Sequence, residues 1–283
     1  MVRLSIFSYK QFFIFVIGFM VSGNLLKGQG NCLLYPESSG ERKACELSYQ
    51  AIEYRQGSKE SQLLFDKAIK VGPNYAWAYY QKSIPFFKRG LLADGITLIN
   101  KAIELEPQNY LYYRAYWYFY NRSYNQCISD LEELYTVHQV SYATTPSSEL
   151  EMRLLLAMAH AFTGNPDKGV RWVENLIEGY EGREHLIGNY DFYVLGLLYY
   201  KNNQYDEAQI ELEKQITLNS TFADAYYYLG LIKIEKGRND EAMSHFTHAY
   251  ELLKGADGGY SLNFFTEFNI DIGDLEEKLS LID

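Results

Sequence analysis

The residues of this 283-residue chain best suited to metal or nucleophile chemistry are five His and three Cys, and their spacing supports little of it. His245 and His248 stand at i and i+3, which puts two imidazoles on one helix face and would suit two ligands to one metal. Solvent-facing or inter-helix histidines are the ordinary reading of such a pair, and no metal is expected. The segment Gly164–Gly169 (GNPDKG) imitates a phosphate-binding loop, but Lys168 precedes the second Gly and Val170 follows it, so the pattern fails and reads better as a turn between helices. No Gly-x-Ser-x-Gly elbow and no Cys-x-x-Cys pair occurs. Glu46 and Glu53 share a helix face two turns apart, as a paired-carboxylate hydrolase would require, yet nothing supplies a substrate wall. The chain therefore reads as a non-enzyme with no cofactor. What it has in excess is rings: 27 Tyr, 16 Phe and 3 Trp. These offer rigid contact area with a polar edge.

The formal net charge of −10 disfavours nucleic acid, whose phosphates require clustered Lys and Arg. With 47% hydrophobic residues the chain can build a core, and wholesale disorder is excluded. Arg3 and Lys10 precede an apolar run from Phe12 to Val21, and a small, polar stretch follows to Gly28 and Gly30. That order is the one of a secretory signal peptide, residues 1–30, cleaved before Asn31. The run is too short for a spanning helix, which needs about 20 residues. An uncleaved anchor and a lipid-anchored Cys32 are the other readings, and a membrane is expected to be met only through this N-terminal segment, if at all. Export, to a periplasm or beyond, places Cys32 and Cys45 in an oxidising compartment, where they either pair across the turn-rich Pro36–Gly40 segment or remain independent thiols. Cys127 lies on an apolar helix face and reads as a small buried hydrophobe.

The elements that must position the rings are internal repeats. Leu195–Gly196 and Leu229–Gly230 lie 34 residues apart, as do Glu207–Ala208 and Glu241–Ala242. Ala68-x4-Pro73 and Ala102-x4-Pro107 repeat at the same interval. A period of 34 with Leu-Gly in one helix, Ala in the next and Pro at the boundary resembles the tetratricopeptide repeat, a helix–turn–helix unit. Placing the small helix-crossing residue of the second helix at Ser61, Gly95, Cys127, Gly169, Ala208 and Ala242 gives about six units, the third the least regular. The two stretched intervals coincide with turn-rich inserts, Thr136–Ser148 and Gly179–Asn189. Asp66, Asn165 and Asp240 are of the types found at helix caps and first turns. The expectation is an all-α, right-handed superhelical solenoid of antiparallel helix pairs over 31–254. A loop and a capping helix, Asp274–Leu281, follow within 255–283.

The resemblance implies that the first helix of each unit lines a concave face through four positions. In the first unit these are Lys43, Glu46, Gln50 and Glu53. The second, third, fifth and sixth units put rings there, Trp77, Tyr80 and Phe87, then Tyr112, Tyr116 and Phe119, then Tyr190, Tyr193 and Tyr200, then Tyr227, whereas the fourth has Glu151, Leu154, Met158 and Ala161. The Lys, Arg and Asn set with which relatives grip an acidic C-terminus is nearly missing. His160 falls at an aromatic packing position of its unit. The implied function is a protein-interaction scaffold that takes a partner segment along an aromatic groove. Glycan or peptidoglycan fragments stacked on the same rings are the alternative. A tightly wound superhelix would instead bury many of these rings against one another.

Overall fold

The computed structural model describes residues 31–147, 150–183, 186–255 and 270–282. The expected signal segment, most of the Gly255–Asn263 loop and His185 lie outside them. Among the described residues there are thirteen α-helices. Six antiparallel pairs follow one another: α1 (Gly40–Ile52) and α2 (Lys59–Val71), α3 (Ala76–Lys88) and α4 (Leu92–Leu105), α5 (Pro107–Tyr120) and α6 (Tyr124–Glu132), α7 (Met152–Phe162) and α8 (Pro166–Glu178), α9 (Asp191–Lys201) and α10 (Tyr205–Leu218), α11 (Ala223–Glu235) and α12 (Asn239–Lys254). A last helix, α13 (Ile272–Ile282), packs on α12, where the sequence places a cap. None of the described helices is long and apolar enough to cross a membrane.

Local chemistry accounts for the boundaries. Ser39 and Ser58 cap α1 and α2 by accepting hydrogen bonds from the backbone N–H groups of Arg42 and Ser61. Pro107 and Pro166 open α5 and α8, where a missing N–H costs nothing. Asn165 is the N-cap of α8 and Asp240 falls in the first turn of α12. Asp66 departs from its expected place at a helix start: it sits inside α2, where its carboxylate reaches Lys82 of α3. Five of the six hairpins turn through three residues whose middle member has positive φ, Gly90, Arg122, Gly164, Asn203 and Gly237.

The small crossing residues do what close approach demands. Ser61, Cys127, Ala208 and Ala242 are almost wholly buried, and a Cβ on Gly169 would stand 2.5 Å from the Ala157 carbonyl oxygen. The unit that departs from the common register is the first, not the third. Ala115 is buried in α5 where the phase requires a small residue, but in α1 that place is taken by Ser48 rather than Tyr49. A longer α1–α2 connection, residues 53–58, absorbs the extra residue. Lys43, Gln50 and Glu53 consequently point to solvent, and the Tyr49 ring stacks on Trp77 at 5.4 Å.

Each second helix packs on its own first helix and on the next one. First helices also approach one another directly, α1 with α3, α5 with α7, α7 with α9 and α9 with α11. They therefore form an inner layer interrupted between α3 and α5, and the apolar core is strung out along it in four clusters rather than gathered at one centre. The backbones of α3 and α5 are not among the closely approaching pairs. There the rings of Tyr80, Phe87, Tyr110, Tyr113 and Trp117 fill the gap.

Candidate functional site

The gap between α3 and α5 opens into a cavity of about 470 Å3. Trp77, Tyr80 and Gln81 come from the first two turns of α3, and Gln108, Asn109, Tyr110 and Tyr112 from the start of α5. The third wall is the insert after α6, from Val140 to Pro146. Helical spacing brings Trp77 and Tyr80 to one face, and the ring-to-ring contacts fix them: Tyr80 lies 5.1 Å from Tyr110 and 4.8 Å, edge on, from Tyr113.

Among the described residues, no charged side chain lines this cavity. Burial raises the hydroxyl pKa of Tyr80, Tyr110 and Tyr112, so the tyrosines stay neutral phenols that both donate and accept. The Tyr110 hydroxyl is buried and makes no hydrogen bond within the described residues. Three carboxamides and flat aromatic walls suit an uncharged ligand with both apolar and hydrogen-bonding groups.

Of the ring positions named from sequence, Trp77, Tyr80 and Tyr112 meet at this cavity. Phe87 and Tyr116 border a second hollow of about 340 Å3 with Trp117 and Tyr120, the Phe87 ring lying flat on Trp117 at 5.1 Å. Phe119 is inside, against Tyr124 and Phe162. Tyr193 is wholly buried, its ring 4.9 Å from Phe222, so the winding of the fifth and sixth units converts this position from surface to core. Tyr200 and Tyr227 are half-buried and pack on Tyr228, with α13 supplying Leu275 to the cluster beside Tyr227. The groove is thus open at α3–α5 and filled toward the C-terminus.

The other reactive groups have structural surroundings. His245 and His248 both lie against the Tyr226 ring, and Glu241, one turn before His245, is engaged by Lys233 at 3.1 Å. Burial lowers the His160 pKa, opposed by Glu132 at 3.2 Å, and burial raises that of the Cys127 thiol. Cys32 and Cys45 stand with Cα atoms 5.5 Å apart and their sulfurs at bonding distance.

Sequence reasoning did not give the insert a role. Its signal was present as the stretched repeat interval before Gly169, but which wall an insert joins depends on how it folds back. It is held by Glu151, buried at 6% exposure, which accepts from the Tyr135 hydroxyl at 2.8 Å and from the Arg153 N–H at 2.6 Å. The Arg153 guanidinium lies over the Tyr135 ring at 4.7 Å and donates to the Ser141 carbonyl.

Comparison with known proteins agrees with this architecture. A sequence profile described as the tetratricopeptide repeat matches residues 192–222 and 223–252. No curated protein matches the chain by sequence. Among solved structures, YrrB, described as a TPR protein with an unusual peptide-binding site, is 16% identical with a TM-score of 0.52, over 68% of this chain and 94% of that one. The pilF protein of Pseudomonas aeruginosa is 13% identical with a TM-score of 0.55, over 77% of this chain and 96% of its own. A chain of the APC/C hetero-tetramer Cut9–Hcn1 is 14% identical with a TM-score of 0.55, over 85% of this chain but 42% of that longer one. Residues 192–252 thus carry two repeats of the tetratricopeptide pattern, and the described helix pairs share the fold of solved tetratricopeptide-repeat proteins.

Proposed function

We propose that the chain is an exported, non-enzymatic scaffold that holds a segment of a partner protein in the cavity between α3, α5 and the insert. The observation that carries this is the cavity's lining, in which Trp77, Tyr80 and Tyr112 face neutral carboxamides and a main-chain wall. Tetratricopeptide folds commonly serve as interaction scaffolds, and rigid stacked helices leave most of the ordering cost to the partner. Export rests on the basic, apolar and small-residue order of residues 1–30 and would put Cys32 and Cys45 where they can bond. Crosslinking in the native envelope followed by mass spectrometry tests the reading. The expected result is one partner segment joined to the α3–α5 cavity, its recovery falling at least about tenfold for Trp77→Ala and for Gln108→Arg. Gln108 is exposed and makes no side-chain bond among the described residues, so that variant adds charge to the cavity without disturbing the fold. Equal recovery with both variants would overturn the site.

A second reading is favoured by the carboxamides Gln81, Gln108 and Asn109 beside Trp77, a combination that also suits a sugar ring. Calorimetric titration with peptidoglycan fragments, with heat lost on Trp77→Ala, would select it over a protein segment.

A further inference from the structure

The insert does more than close the cavity, because its main chain is left half-bonded. Ser141 to Thr145 runs antiparallel to the entry of α7, joined by the Thr145 N–H to the Leu150 carbonyl and the Met152 N–H to the Ala143 carbonyl, each at 2.8 Å. The Ala143 N–H turns to Glu151 at 3.5 Å and the Ser141 carbonyl accepts from Arg153. Residues 141, 143 and 145 therefore all bond toward α7. In extended backbone, alternate residues present their N–H and C=O to opposite sides. Those of Tyr142 and Thr144 are directed away from α7 and make no hydrogen bond among the described residues. The same two residues line the cavity together with Trp77, Tyr80 and Tyr112.

This is a short strand edge, pinned from behind by buried Glu151 and open toward an aromatic wall. Unpaired edges are templates for strand addition. Resting on the reading that a protein segment fills this groove, we infer that the segment docks in extended form as an added strand on Tyr142–Thr144. Its main chain bonds to the N–H and C=O groups of those two residues, and its alternate side chains lie on Trp77, Tyr80 and Tyr112. The segment is uncharged, since a charged side chain entering this lining would lose water and meet no counter-charge among the described lining residues.

A phage-displayed random heptapeptide library panned on the full chain, with counter-selection on Gln108→Arg, supplies the probe. Each residue of a selected peptide is then N-methylated in turn and its Kd measured by calorimetry. Strand addition predicts losses of about tenfold or more at alternate residues only, since only those donate across the edge. Thr144→Pro, which removes one N–H of the edge, is expected to lower affinity similarly with the thermal unfolding midpoint unchanged. Tolerance of N-methylation throughout, or losses at helical spacing, would overturn the strand mode while leaving the cavity as the peptide site. Failure to select any peptide that depends on Gln108 and Trp77 would overturn the protein-segment reading, and the strand with it.

Discussion

Asp191 opens α9 with its carboxylate turned back to the Gly188 N–H at 2.8 Å, and with only 2% of its surface exposed. Burial pushes its pKa up to about 6, the Gly188 bond opposing. The sign of the consequence follows from linkage. Between the ordinary aspartate value near 3.8 and about 6, the folded chain keeps a proton that the unfolded chain has released. This group thus favours folding in acid, and its contribution is lost as pH rises through about 6. The magnitude is at most about 3 kcal/mol, at about 1.4 kcal/mol per pKa unit. Urea unfolding of the native chain and of Asp191→Asn at pH 4 to 7 should show the native chain losing stability relative to the variant across that window. A difference independent of pH would exclude it. Glu151 and Asp130 act in the same direction, burial being the main cause in both. None of this was legible in the sequence, where Asp191 is simply an acid at a helix start and Glu151 is expected on the concave face rather than buried. Which carboxylates lose their water is decided by what folds over them.

The helix pair is the element the sequence describes best. Its small crossing residues are compulsory, because large side chains there would push the helices apart. Gly169 shows the limit: the nearest atom to an added Cβ is a backbone carbonyl oxygen at 2.5 Å, which cannot swing away as a side chain can. Gly169→Ala is expected to destabilise by about 1–3 kcal/mol, the range of overpacking. Gly164 has the opposite surroundings, open space around a φ of +82°. Gly164→Ala should therefore cost only the left-handed backbone penalty, about 1 kcal/mol. Denaturant midpoints of the two variants against the native chain check both numbers, and a cost for Gly164→Ala above that for Gly169→Ala would contradict the assignment of causes. The one-residue slip in α1 was hidden for a related reason. Ser48 and Tyr49 are adjacent, and only the six-residue connection from 53 to 58 determines which of them faces α2.

Across the whole molecule the core is a chain of clusters, so the ends are where apolar faces lack a neighbour. At the C-terminal end, Leu275 of α13 is fully buried with Phe246 and Ala249 of α12. Leu275→Ala is expected to cost about 2–5 kcal/mol at that end. Because repeat stability is a sum over units and their interfaces, the loss should be local. Hydrogen exchange should quicken in α11 to α13 and stay unchanged in α3 and α4. Uniform acceleration along the chain would instead show a single cooperative core. At the N-terminal end the covering element is the 3-10 turn Cys32–Leu34, held against α1 by the Cys32–Cys45 approach and by the Arg42 guanidinium on the Cys32 carbonyl at 3.1 Å.

The all-helical class, the pairing, the period and the terminal helix follow from local propensity and from small and apolar residues recurring at fixed intervals along the chain. The same intervals also place Trp77, Tyr80 and Tyr112 on one face. Which rings are surface and which are core depends instead on how the helix pairs pack. Helical spacing gives Tyr112 and Tyr193 equivalent places, yet Tyr112 lines a cavity while Phe222 and Tyr228 close over Tyr193. The difference comes from how far successive first helices stand apart and from where the insert folds. Both are set by contacts between residues distant in the chain, which no repeat pattern records.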